Sequence, residues 1–195
     1  MEKTTHVHPI TPLVIWGPLA VWLTYRSVFN LGLSGLTVAG FAFAGILFWT
    51  LSEYLLHRFV FHWVVTGPLS ERFQYIIHGL HHADPIDKTR LVMPPVPALI
   101  LAGLLYGMFR VLLGPVYVEP FFAFFLMGYL WYDYTHYYVH HFNPTTSFGK
   151  MIKQHHMMHH FVAHGARWGV STPLWDFLLG TLEQPKETDE SAKTA

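Results

Sequence analysis

The chain has 195 residues, of which 52% are hydrophobic and only 12% charged, a balance too apolar for an ordinary soluble domain and suited to a membrane protein. Its formal net charge is zero and it contains no cysteine. These two facts exclude a basic footprint for nucleic acid, disulfides, thiolate zinc sites, iron–sulfur clusters and cysteine nucleophiles.

Residues 1–12 are polar and read as a solvated cytosolic tail, in which His6 and His8 are weak metal donors at most. The apolar run that follows is too long for a signal peptide, contains Pro18 and lacks a small-residue cleavage site. A first spanning helix is expected from Leu13 to Phe29, with a turn at Gly32, Ser34 and Gly35. A second begins near Leu36 and meets no breaker until His62, which makes it about 40 Å long against a hydrocarbon core of about 30 Å. Its last turns therefore leave the bilayer, and they carry Glu53, His57, Arg58 and His62.

Gly67 and Pro68 interrupt the chain, and Leu69 to His82 reads as an amphipathic helix ending in His78, His81 and His82. Residues 83–97 form a proline-containing loop. A third span is expected from Val96 to Leu113, stopped by Gly114 and Pro115, and a fourth from Tyr117 to His141, whose end carries Asp133, His136, His140 and His141. An interfacial helix follows from Ser147 to His160, then a short apolar segment from Trp175 to Leu179. The reading is an all-α, multi-pass membrane domain over residues 13–183, with four transmembrane helices, a cytoplasmic helical cap and a charged, disordered tail at 184–195. With four spans, ten of the twelve Lys and Arg residues fall on one side and only Arg26 and Arg110 on the other. The positive-inside rule then places both termini and every clustered histidine in the cytoplasm, at the inner membrane of a bacterium or the endoplasmic reticulum of a eukaryote.

Histidine is the outlying residue type, with 15 copies. Four groups gather ten of them at span ends and in the cap: His57 and His62; His78, His81 and His82; His136 and His140; His156, His159 and His160. Spacings of three and four put imidazoles on one helical face, whereas His57 and His62, five apart, stand about 140° apart on an α-helix and need a local distortion to converge. A lone pair of this kind is commonly interfacial or bonded to backbone. Four groups on one membrane face point to metal, because ionisable residues at membrane depth are costly. Ten nitrogen donors exceed the capacity of one ion and suit two ions with about five each, leaving room for an open position. Glu53 and Asp133, one turn before His57 and His136, are candidates to hold ring N–H groups from behind, as are His155, His164 and Asp176, with ordinary helix-end hydrogen bonding as the alternative.

The order HxxxxH, HxxHH, HxxxH, HxxHH resembles the integral-membrane fatty acid hydroxylase superfamily, which also holds sterol desaturases and carotene hydroxylases. Three further stretches resemble the sphingolipid fatty acid 2-hydroxylases: Glu53 to Phe59, the proline run Arg90 to Ala98, and Gly169 to Asp176. The resemblance covers residues 35 to 180. It implies that the ten histidines ligate a dimetal centre that uses O2 to hydroxylate a fatty acyl chain, most readily at the 2-position. Members of this branch often carry a cytochrome domain with an HPGG motif, which His8-Pro9 is not, so a separate electron donor such as a b-type cytochrome or ferredoxin is expected.

Breaking an unactivated C–H bond with O2 requires a redox metal. An all-imidazole site suits iron and also accepts zinc or copper; zinc has no redox chemistry, so iron is expected for activity, with zinc a substitution open to a purified sample. Phe121, Phe122, Phe124, Phe125, Gly128, Tyr129, Trp131 and Tyr132 either line an acyl groove or pack and face lipid. Lys88 and Arg90 either meet an anionic headgroup or acidic donor, or belong to a solvated loop. A sterol or carotenoid substrate stays open on the same scaffold. So does a metal transporter, although a transporter gathers its ligands near the bilayer midplane.

Overall fold

The computed structural model describes residues 6–63 and 66–183, and every regular element among them is helical. Helix α1 (Thr11–Tyr25) starts with Pro12 in its first turn, where a missing N–H costs nothing, and continues as a π-helical turn over Arg26–Asn30. Helix α2 (Gly35–Leu56) is capped by Ser34, whose hydroxyl accepts from the Thr37 N–H at 3.1 Å, and it also continues as a π-turn, His57–Phe61. Gly67, at φ 121°, and Pro68 launch the short helix α3 (Pro68–Gln74), which passes through a third π-turn, Tyr75–Gly79, into α4 (Leu80–Ala83). An irregular loop leads to α5 (Pro95–His141), followed by α6 (Ser147–Phe161), capped by Thr146, and α7 (Leu174–Leu178).

The 47 residues of α5 would extend about 70 Å if straight. They do not. Gly114 adopts φ 77° and ψ 168°, a conformation that suits glycine, and Pro115 follows it. Phe109 then packs against Phe125 with ring centroids 5.5 Å apart, and Tyr106 against Phe122 at 5.2 Å. In a continuous helix the first pair would be about 24 Å apart. The element is a hairpin whose second leg, 115–141, forms the axis of the molecule.

Around that leg lies one apolar core: Trp16, Ala20 and Leu23 from α1, Trp49 from α2, Ala98 and Phe109 from the first leg, and Val118, Phe121, Phe122 and Phe125 from the second. Helix α2 approaches it so closely at Gly45 that an added Cβ would sit 2.4 Å from the Phe121 carbonyl oxygen. Gly40, on the same helix, has nothing within 4 Å of such a Cβ. Gly45→Ala should therefore lower stability by about 1–3 kcal/mol through overpacking, while Gly40→Ala should be neutral or raise it by up to about 1 kcal/mol through helix propensity. Thermal unfolding of the two variants in one detergent checks this; equal shifts would refute the close approach.

The outward faces are apolar. Val21, Phe43, Leu104 and Val111 are exposed, the last at 85%, as expected of surfaces that face lipid. The helical stretches Gly35–Phe61 and Pro95–His141 are long and apolar enough to cross a membrane. At one end of the bundle Arg26 neutralises the buried Glu119 at 2.8 Å. The opposite end carries the histidines, and the N-terminal segment closes over it. Instead of a solvated tail to Pro12, residues 6–10 dock on the loop before α5. The Val7 N–H donates to the Thr89 carbonyl at 2.8 Å, its side chain is buried against Leu91, Val92 and Tyr137, and the Tyr134 hydroxyl donates to the Pro9 carbonyl.

Candidate metal centre

The ten histidines that the motifs select come together as two groups of five. His57, His62, His78, His82 and His159 form the first, and His81, His136, His140, His156 and His160 the second, with one nitrogen of each ring within 4.8 Å of the others in its group. The i+5 problem at His57 is solved by the π-turn. Its i→i+5 bonding, with the His62 N–H donating to the His57 carbonyl at 3.2 Å, widens the turn and carries both rings to one side. The two HxxHH motifs are split reciprocally. His78 and His82 go to the first group and His81 to the second; His156 and His160 go to the second and His159 to the first. Each group is thus two pairs from adjacent turns plus one ring reaching across, and His82 stacks on His160 at 4.1 Å where the groups meet.

The donor geometry fits a metal ion. Neighbouring Nε2 atoms are 2.9–3.2 Å apart: His140 and His156 at 2.9 Å, His82 and His78 at 3.0 Å, His159 and His62 at 3.1 Å, His57 and His78 at 3.2 Å. Ligands at right angles around an ion about 2.1 Å away would be about 3.0 Å apart, and tetrahedral ones about 3.4 Å. The spacing favours the crowded shell of a five- or six-coordinate ion. In the first group the ring tautomer is also set, because His57 and His159 donate Nδ1–H to the carbonyls of Trp168 and Ala166 and so turn Nε2 lone pairs inward. Lone pairs converging at 3 Å repel one another unless a cation lies between them.

Outside the spans the rings are held neutral, the state a ligand needs. Burial first, then neighbouring imidazoles, lowers His62 and His82 to about 3 and His81 to about 2. His159 falls to about 4, chiefly by burial and against the opposing bond to the Ala166 carbonyl. His78, His156 and His160 are pushed well below the usual imidazole range by the same causes.

The carboxylates act one step further back than expected. Glu53 touches no imidazole; it accepts from the Val170 N–H at 2.6 Å, the Ser171 N–H at 2.8 Å and the Ser171 hydroxyl. Asp176 accepts from the N–H groups of Trp168 at 2.8 Å and Gly169 at 2.7 Å, from the Thr181 hydroxyl at 2.8 Å, and from His155 Nε2 at 3.1 Å. Burial alone would raise Asp176, but these bonds hold it below the usual carboxylate range. Both carboxylates therefore anchor the loop 166–171 whose carbonyls hold His57 and His159. His155 turns away from both groups, with Nε2 on Asp176 and Nδ1 accepting from Arg167 at 3.3 Å. Asp133 is buried beside Tyr129 and makes no hydrogen bond to His136. His164 is exposed at the rim of the first group, 6.5 Å from His82 between ring centroids.

The resemblance over Gly169 to Asp176 touches this loop, but the sequence did not show what the loop does. Its working atoms are the backbone carbonyls of Ala166 and Trp168, which no residue type announces. Two local signals do mark it. Arg167 adopts φ 61°, rare for a non-glycine residue, and a Cβ on Gly169 would lie 2.1 Å from the Thr172 carbonyl oxygen. Of the groove candidates on α5, Phe121, Phe122 and Phe125 are core, Phe124, Tyr129 and Tyr132 pack against it, Gly128 packs under Trp49, and Trp131 is exposed. A cleft of about 310 Å³ opens between the turn that follows α2 and helix α3, lined by Phe59, Val60, Trp63, Ser70, Phe73 and Gln74, and none of the ten histidines lines it. Lys88 lies near His141, and Arg90 pairs with Asp87 at 3.0 Å.

Comparison with known proteins agrees with this geometry. Residues 42–181 match the family model described as fatty acid hydroxylase. The chain is 39% identical over 173 residues to the dihydroceramide fatty acyl 2-hydroxylase of Arabidopsis thaliana, covering 89% of this chain and 73% of that one. It is 36% identical to the fatty acid 2-hydroxylase of Homo sapiens over 196 residues, and there it spans only 52% of the relative. A solved structure of full-length scs7p, with only the hydroxylase domain visible, superimposes with a TM-score of 0.85 at 33% identity, covering 92% of this chain and 68% of that one. The chain belongs to the fatty acid hydroxylase family.

Proposed function

We propose that the chain is a membrane lipid hydroxylase that inserts one oxygen atom of O2 at the 2-position of a fatty acyl chain. The observation that carries this reading is the pair of five-imidazole groups in a member of a hydroxylase family, all at one end of an apolar helical bundle. The names of the relatives, which act on fatty acids and dihydroceramide, support the acyl substrate. The ten imidazoles are the proposed ligands, five to each ion. When bound, a redox pair such as two irons supplies the O2 reduction and C–H cleavage that no side chain here can perform.

The chain's own residues do the rest. The π-turn at His57 and the split HxxHH motifs bring the donors to coordination spacing. The loop 166–171 fixes the tautomer of two of them. The apolar cleft between the turn after α2 and helix α3 suits an acyl chain, since Phe59, Val60, Trp63 and Phe73 offer it contact without a charge. We assign four spans to α1, α2 and the two legs of α5, with α3, α4 and α6 as a cytoplasmic cap and both termini on that side. The substrate C–H bond is replaced by C–O–H, and the second oxygen atom leaves as water, taking two electrons from a separate donor protein and two protons from solvent. Mass spectrometry of lipids from cells with and without the gene tests the proposal. A gain of one oxygen on acyl chains, located next to the carboxyl carbon, is expected; unchanged acyl chains with a hydroxylated sterol or carotenoid would overturn it.

A further inference from the structure

The two histidine groups differ in what stands behind their rings. In the first, His57 and His159 donate Nδ1–H to backbone carbonyls, and no ring of the group carries a buried nitrogen lacking a hydrogen-bond partner among the described residues. In the second, four of the five rings, His81, His136, His156 and His160, bury an Nδ1 that meets no hydrogen-bond acceptor.

The carbonyls behind the first group are themselves fixed. Glu53 and Asp176, both buried, take up four successive backbone N–H groups from Trp168 to Ser171. The Arg167 N–H donates to the Thr181 carbonyl at 2.9 Å, which ties the start of the loop to the segment after α7. A ring aimed by such a support is a stronger donor and has little freedom left to lose on binding, whereas an unsupported ring must be ordered by the ion itself.

We infer that the two ions are held unequally: the first group, backed by the 166–171 loop, is the tight site, and the second is the exchangeable one. Glu53 is a positioning residue for that difference, acting through the loop. The inference rests on the proposed metal reading of the two groups.

The test uses the full chain in detergent, loaded with Co²⁺, whose visible absorption reports nitrogen coordination, and challenged with increasing chelator. Two steps of loss are expected, separated by at least about tenfold in chelator. His140→Ala should remove the easier step. Glu53→Gln should move the harder step about 10–100-fold toward the easier one and leave the easier step in place. Ser171→Ala, which takes away only the hydroxyl donor to Glu53, should shift the same step less, and it serves if Glu53→Gln does not fold. Loss of both ions in one step from the unaltered chain, or an equal shift of both steps in either loop variant, overturns the inference while leaving two bound ions. Cobalt bound to neither group overturns the metal reading as well.

Discussion

His159→Ala should empty the first histidine group and lower hydroxylated product by more than about 100-fold. His159 is the one ring of α6 in that group, reaching His62 at 3.1 Å while its neighbours His156 and His160 serve the other group. Alanine leaves four donors, a cavity at a fully buried position, and a released Ala166 carbonyl. The ligands of the second ion stay in place, so one ion per chain should remain. His81→Ala is the mirror case, since His81 is the only ring of its motif in the second group. Elemental analysis of the purified variants beside helical content by circular dichroism checks both; two ions retained by either variant would refute the assignment of that ring.

Acid should destabilise the metal-free protein and spare the loaded one. The folded values of His159, about 4, and His81, about 2, lie below the usual imidazole value of 6.5. Between those limits the unfolded chain binds more protons than the folded one, so stability rises with pH there and is lost as pH falls below 6.5. Each such ring contributes a loss of up to about 1.4 kcal/mol per pH unit, and several act together. A bound ion competes with those protons and protects the fold. The chelated protein should therefore melt at markedly lower temperature at pH 5.5 than at pH 7.5, with a much smaller change in the loaded protein. Equal shifts in both would show that the rings do not bind metal.

Much of the helical plan could be read from the sequence because it rests on simple periodic signals. Gly114-Pro115 marked the reversal inside what became one long hairpin, and Ser34 and Gly67-Pro68 marked helix starts. The convergence of ten imidazoles followed from their positions at helix ends on one side. Spacing alone did not show that each HxxHH motif divides between two groups, because i, i+3 and i+4 rings share a face and only tertiary placement decides which neighbour each one meets. The role of Glu53 was hidden for a related reason. One turn before His57 it looked like a partner for that ring, yet its carboxylate reaches Val170 and Ser171 across the chain. Val7 illustrates a third limit, since scattered apolar residues in a polar tail give no periodic signal, and the pocket formed by Leu91, Val92 and Tyr137 explains its burial.

If each histidine group holds one ion and the pair is needed for oxygenation, ion content and activity must rise and fall together. The most direct measurement is the iron-to-chain ratio of protein purified from iron-replete cells, taken on the same preparation that is assayed for 2-hydroxylated acyl product. Two ions per chain, with product falling as either ion is removed, is the result expected. Full activity in a preparation carrying one ion or fewer per chain would contradict it.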